Sequence, residues 1–215
     1  MTTVIAVRHG ESEGNAAGVI QGQYPTSLTE KGRLQAACTA EYLDRYHIDA
    51  VYASDLPRAM QTAGYTAGRQ GLAVIPEKGL REIYAGLWEM KPSAEIDRLY
   101  PADHAVWHND MANSRPTGGE SVRETAKRVA ETVARLAAEN DGKTIAVFTH
   151  ALAIRCLGTV WRGEDIEALN AAPWIANAAV CVVDYGNDGT YDLRSYGECA
   201  HLEAKGLITH LSPKV

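Results

Sequence analysis

Three short stretches hold residue types suited to phosphate chemistry: Arg8-His9-Gly10-Glu11-Ser12, Ser54-Asp55-Leu56-Pro57-Arg58 and Thr149-His150. An imidazole is a nucleophile while one ring nitrogen is unprotonated. Arginine offers a planar fork of donors that fits phosphoryl oxygens better than the point charge of lysine. A second imidazole adds a donor where negative charge builds in the transition state. Two histidines and two arginines are therefore the set that phosphoryl transfer asks for, provided the fold brings the three stretches to one spot.

Each stretch follows, or lies just beyond, a short apolar run. Val4 to Val7, Ala50 to Ala53 and Ile145 to Phe148 read as buried strands, with a shorter one at Val74-Ile75. Helical patterns separate them. Thr29 opens a helix whose Leu34, Ala37, Cys38 and Tyr42 share a face. Ser54 is placed to cap the next helix, with Pro57 in its first turn and Leu56, Met60, Ala63 and Ala67 facing inward. Ser121-x-x-Glu124 is a capping box, followed by a stripe of Val122, Ala126, Val129, Val133 and Leu136. A further helix runs from Ala151 to about Val160. Ala179 to Tyr185, the turn Gly186-Asn187-Asp188-Gly189 and Thr190 to Tyr196 form a closing hairpin. The alternation predicts an α/β protein: one three-layer α/β/α sandwich over residues 1–215 with a mostly parallel central sheet. The stretch at about 82–119, interrupted by Pro92, Pro101 and Pro116, reads as a lid-like excursion. In such sheets ligands bind beyond the carboxyl ends of the strands, where the three stretches lie if their strands are neighbours.

Composition limits the alternatives. With 46% hydrophobic and 22% charged residues the 215-residue chain is neither disordered nor collagen-like. No apolar run approaches the roughly 18 residues of a membrane span. The N-terminal apolar run meets Arg8 too early for an export signal, so a cytoplasmic location is expected. Lysine plus arginine number 21 against 27 acids, a net charge of -6. That balance excludes a broad face for nucleic acid but allows a small anion in a local basic pocket. Cys38, Cys156, Cys181 and Cys199 show no Cys-x-x-Cys and read as reduced thiols. His104 and His108 stand four apart, yet no third or fourth ligand has sensible spacing. His47, His201 and His210 carry no pattern. Neither a metal nor a cofactor is expected. Trp88 and Trp107 are read as packing residues with access to the organic part of a substrate, Trp161 and Trp174 as packing alone.

The order of motifs resembles the histidine phosphatase superfamily, the phosphoglycerate mutase-like family. The resemblance rests on Arg8-His9-Gly10-Glu11-Ser12-x-x-Asn15, Gln21-Gly22 and Leu28-Thr29-Glu30-x-Gly32-x-x-Gln35-Ala36. It continues through Ser54-Asp55-Leu56-x-Arg58-Ala59-x-Gln61-Thr62-Ala63, Leu80-Arg81-Glu82, Gly86-Leu87-Trp88-Glu89, Gly118-Gly119-Glu120-Ser121 and Thr149-His150. It implies a phosphoglycerate mutase-like fold, His9 as the nucleophile, Arg8 and Arg58 on the phosphoryl oxygens, and His150 as a second donating wall. Glu82 is implied as the acid that protonates the leaving alcohol and then, as a base, activates water; Glu89, seven residues on, competes for that role. Asn15, Gln21, Gly22 and Ala151 are implied at the mouth of the phosphate site, with Gly10 and Gly22 letting the backbone approach the ligand. Ala151 departs from the glycine common after this histidine. Gly118 to Ser121 reads first as a helix start and second as a loop at the site's edge.

Within the family the fork is phosphatase against cofactor-dependent phosphoglycerate mutase. No arginine directly follows Glu82, and no insertion lengthens the segment. From 82 to 120 seven carboxylates (Glu82, Glu89, Glu95, Asp97, Asp103, Asp110, Glu120) face Lys91, Arg98 and Arg115, which disfavours a polyanionic substrate. The chain resembles the broad-specificity and α-ribazole phosphatase types more than the mutases. A third reading, a non-catalytic phosphate-binding module, would be marked by loss of the nucleophile or the acid, and neither is missing. The expected partner is a small phosphorylated metabolite. A homodimer through the hairpin edge at 190–196 is left open.

Overall fold

The computed structural model of the protein describes residues 1–186 and 188–208. Asn187 of the expected turn and His210 lie outside them. In chain order the elements begin with β1 (Thr2–Arg8), α1 (Glu13–Ala16), β2 (Val19–Ile20), α2 (Glu30–Leu43), β3 (Ala50–Ala53), α3 (Pro57–Gln70) and β4 (Val74–Pro76). They continue with β5 (Lys91–Pro92), α4 (Ser93–Leu99), α5 (Pro101–Asn109), α6 (Val122–Glu139), β6 (Thr144–Thr149), α7 (Ala151–Trp161), β7 (Val180–Tyr185), β8 (Tyr191–Glu198) and α8 (Ala200–Glu203).

Six strands form one mixed sheet in the order β4-β3-β6-β1-β7-β8. The β4-β3, β3-β6 and β6-β1 pairs are parallel; β7 and β8 add antiparallel partners at one side. The fold is the α/β sandwich with a mostly parallel sheet that the periodicity implied. Val4, Ile5, Ala6 and Val7 are all fully buried, because the sheet is covered on both faces. Val4 and Ala6 meet α6 and α7 residues such as Val133 and Leu157, whereas Ile5 and Val7 face Leu43 of α2 and Ala63 of α3.

The helix starts follow local chemistry, with two differences from the sequence reading. Thr29 caps α2 by accepting from the Gly32 N–H, and Ser121 and Glu124 cap α6 reciprocally. Cys38 is buried as expected, but the buried face of α2 also runs through Gln35, Ala36, Thr39, Ala40 and Leu43, and Leu34 is exposed. The expected face was rotated because polar Gln35 and Thr39 are buried for their hydrogen bonds: Gln35 Oε1 accepts from Glu11 N, and Thr39 Oγ1 donates to the Ala178 carbonyl. Ser54 does not cap α3 either. Leu56 is the N-cap residue and Pro57 starts the helix, while the Ser54 hydroxyl is held at His150.

The sheet register positions the site. Arg8 of β1 pairs with Thr149 of β6, and Ala53 of β3 pairs with Phe148. The three chains therefore leave the sheet at one level, and His9, Ser54 and His150 emerge side by side. The excursion at 82–119 is not loose. Ile83, Ala85, Trp88, Ile96 and Trp107 share a buried cluster with Val122 and Ala126 of α6 and Leu152 of α7, and β5 pairs with β2.

Candidate active site

Beyond the ends of β1 and β6, a cleft is lined by Arg8, His9, Asn15, Gln21, Gly22, Arg58, Glu82 and Ala151 together with apolar side chains. Its free space is about 740 Å³ with the solvent-facing mouth included. His150, fully buried, stands behind His9 with ring centroids 5.1 Å apart. All nine predicted site residues thus meet in one place.

The His9 ring is oriented by its own chain. Nδ1 lies 2.6 Å from the Gly10 carbonyl, an acceptor, so Nδ1 carries the proton and Nε2 keeps its lone pair. Burial, then the charges of Arg58 and Arg8, push this imidazole well below its ordinary pKa, outweighing the Gly10 bond that favours protonation. Burial also pushes His150 well below its ordinary value, with Arg58, His9 and Arg8 adding to it. Nε2 of His150 is 2.8 Å from the Ser54 hydroxyl, and among the described residues its Nδ1 has no hydrogen-bond partner.

Both arginines are buried and anchored by backbone carbonyls. Arg8 Nη1 donates to the Ile175 carbonyl at 2.6 Å; Arg58 donates to the Tyr24 and Gly22 carbonyls at 2.9 and 2.7 Å. Carbonyls fix a guanidinium without neutralising it, so the charge stays available to an anion. Burial lowers each pKa to about 10, partly opposed by the nearby carboxylate of Glu82. Both remain cations at neutral pH.

Glu82 borders the cleft and rests on two backbone donors, Ile83 N–H at 3.0 Å and Leu152 N–H at 3.2 Å. Its own carbonyl is held by Gln23 and Arg128. Glu89 is absent from the lining and accepts from Gln23 N–H at 2.7 Å instead. Asn15 accepts on Oδ1 from Ser12 N–H and from Asn177, which assigns its amide and leaves Nδ2 as its donor. Gln21 spends its carbonyl oxygen inward on the hydroxyls of Ser12 and Thr26.

Some expectations about individual residues need correction. Packing within the protein already requires glycine at positions 10 and 22. A Cβ on Gly10 would meet the Gly32 carbonyl at 2.5 Å, and one on Gly22 would meet Glu89 Oε1 at 2.4 Å. Gly22 also has φ 52°, a conformation other residues rarely adopt. Trp107 borders the cleft, but Trp88 is fully buried behind it, with its indole N–H on Thr117. Trp174, read as packing, also borders the cleft. Gly118 and Gly119 do precede the helix start, and Glu120 of the same run pins the Glu82 loop through its N–H on the Tyr84 carbonyl. His104 pairs with His108 at 3.0 Å; among the described residues no group of three or more His, Cys, Asp or Glu is placed to hold a metal.

The sequence reading missed Ser54 as the partner of His150 and Asn177 as a brace that donates to the His9 carbonyl at 3.0 Å. A serine directly after a strand was a usable signal for the first. Asn177 sits in irregular chain before β7, and nothing local marked it.

A buried imidazole that keeps one nitrogen lone pair, two guanidiniums anchored by carbonyls and a carboxyl on the same cleft are an arrangement able to transfer a phosphoryl group. Residues 4–197 match the histidine phosphatase superfamily (branch 1), and the chain belongs to that family. It is 36% identical over 146 residues, 67% of the chain and 71% of the relative, to an adenosylcobalamin/alpha-ribazole phosphatase of Salmonella typhimurium. It is 32% identical over 215 residues, covering 96% and 98%, to a probable phosphoglycerate mutase, GpmB, of Yersinia pestis. The solved structure of Bacillus stearothermophilus YhfR superposes with a TM-score of 0.89 at 27% identity, covering 94% of this chain and all of that one.

Proposed function

We propose that the protein is a metal-independent phosphomonoester hydrolase that works through a phosphohistidine on His9, with small phosphorylated metabolites as substrates. The observation that carries this reading is the 2.6 Å contact of His9 Nδ1 with the Gly10 carbonyl, which leaves Nε2 unprotonated in a ring bordering the cleft. Nε2 attacks phosphorus, the bond from phosphorus to the ester oxygen breaks, and Glu82 gives that oxygen its proton. Arg8, Arg58 and the free nitrogen of His150 hold the phosphoryl oxygens as charge spreads over them. Water then attacks the phosphohistidine, the carboxylate of Glu82 takes its proton, the N–P bond breaks, and inorganic phosphate leaves. Asn15 and Ala151 border the phosphate end; Gln21 and Gly22 shape it, Gly22 through its carbonyl on Arg58.

The mutase reading is favoured by the match to the probable mutase along nearly the full chain. Against it stands a cleft whose only cations among the described lining residues are Arg8 and Arg58, and this reading assigns both to one phosphoryl group. Supplying 2- and 3-phosphoglycerate with a bisphosphate primer, and following isomers and free phosphate together, decides between them. Phosphate release with little isomerisation supports the hydrolase. Primer-dependent interconversion with scarce release overturns it.

A further inference from the structure

The apolar half of the cleft says what kind of alcohol the phosphate is attached to. Val19, Ile20, Ile83, Trp107, Leu152 and Trp174 form this wall. They come from four separate parts of the fold: β2, the excursion at 82–119, α7 and the irregular chain before β7. Trp174 is fixed from beneath. The Arg155 guanidinium lies 4.0 Å from its ring centroid, and Arg155 is itself buried, donating to the Leu169 and Ala172 carbonyls at 2.7 Å each. A cation under one face holds the indole in place. Trp107 is backed edge-on by the buried Trp88 at 5.8 Å. Two indoles are thus pre-set at the cleft before anything binds.

Charge sharpens the choice. Among the described residues Glu82 is the one carboxylate bordering the cleft and Arg8 and Arg58 the two lining cations, both assigned above to the phosphoryl end. Arg155 Nη1 faces Met111 Sδ at 2.9 Å and its Nη2 is taken by carbonyls. Among the described residues only its buried Nε lacks a partner, and the guanidinium lies against the Trp174 indole and is not among the residues that line the cleft. A second anionic group would therefore lose its water against an apolar wall with no cation to replace it.

We infer that the cleft selects phosphate monoesters of neutral alcohols with an apolar or aromatic body, gripped by Trp174 and Trp107, over esters that carry a second negative charge. This rests on the phosphomonoesterase reading above and adds the substrate class to it. The test compares kcat/KM for 2-phenylethyl phosphate, glycerol 1-phosphate and 3-phosphoglycerate, alkyl esters whose chemistry differs little at the leaving oxygen. The aromatic ester is expected to lead glycerol phosphate by at least about tenfold, the scale of apolar-pocket discrimination, and 3-phosphoglycerate to come last. Trp174→Ala should shrink the lead of the aromatic ester over glycerol phosphate, and Trp174→Phe should keep most of it. The ratio of two substrates on one preparation is insensitive to the folded fraction. Equal use of all three, preference for 3-phosphoglycerate, or an unchanged ratio in Trp174→Ala overturns the inference and leaves the hydrolase reading standing. No phosphate release from any ester, or release that survives His9→Ala, overturns both.

Discussion

Replacing Glu82 by Gln keeps the size of the side chain and removes its proton chemistry. Each Glu82 oxygen accepts one backbone N–H, from Ile83 and from Leu152. Glutamine offers one acceptor oxygen, so one of these N–H groups would face an amide NH₂, a ground-state cost of about 1 kcal/mol that falls equally on every substrate. The loss of proton donation does not fall equally. General acid catalysis contributes 10²- to 10⁴-fold, about 3–5 kcal/mol, where the leaving group is a poor one. Phosphorylation of His9 by an alkyl phosphate should therefore slow by roughly 10²-fold or more. With nitrophenyl phosphate, whose phenolate departs without a proton, the same step should slow by less than about tenfold. Rapid quench of the first turnover is the required assay, because in the proposed mechanism Glu82 also serves the later hydrolysis and steady-state rates mix the two steps. A first-step defect equal for both substrates would refute the acid role and leave Glu82 as a shaping residue. Glu89→Gln is the control: its carboxylate is spent on Gln23 N–H, so the alkyl-to-aryl ratio should not move. A larger alkyl-selective defect there would transfer the role to Glu89.

His9→Ala should abolish an otherwise acid-labile, base-stable phosphoenzyme of up to one phosphate per chain; label persisting in the variant would place the nucleophile elsewhere. Since Arg58 helps push the His9 pKa down, Arg58→Ala should cost two or more decades in rate and move the acid limb of the single-turnover pH profile to higher pH. A limb that stays put or moves lower contradicts the charge assignment. Both buried histidines bind protons in the unfolded chain near pH ~6.5 but, in the fold, only well below that. Tm should fall as pH drops below the unfolded value and level off once the folded pKa values are passed; a phosphate-free Tm flat between neutral and acid pH would contradict this. Ser54→Ala removes the partner of His150 Nε2 and should lower kcat about tenfold, the weight of one buried hydrogen bond, with KM changing less. Prolonged dialysis against a chelator should leave activity intact; loss restored by one divalent ion would put a metal in the mechanism.

Much of this protein is legible one residue at a time. The apolar runs at Val4 to Val7 and Ile145 to Phe148, short and rich in β-branched residues, read as strands covered on both faces, and Ser121 with Glu124 closes its own helix start, because those effects act within a few residues. Arg8, His9, Arg58 and His150 stand out for the same reason: few residue types do phosphoryl chemistry, and each sits where a strand ends or a helix begins. Tertiary structure alone decided the rest. It took Ser54 away from the helix cap and gave it to His150, since a buried imidazole nitrogen needs a partner more than a helix end with a proline in its first turn does. It separated Glu82 from Glu89, seven residues apart in one loop, by turning one toward the cleft and the other onto Gln23. It brought Trp174 and Asn177 to the site from irregular chain with no periodicity to betray them. Which side chains share a space depends on long-range packing, and residues 19, 107, 152 and 174 meet only after the sheet has set the register of everything around it.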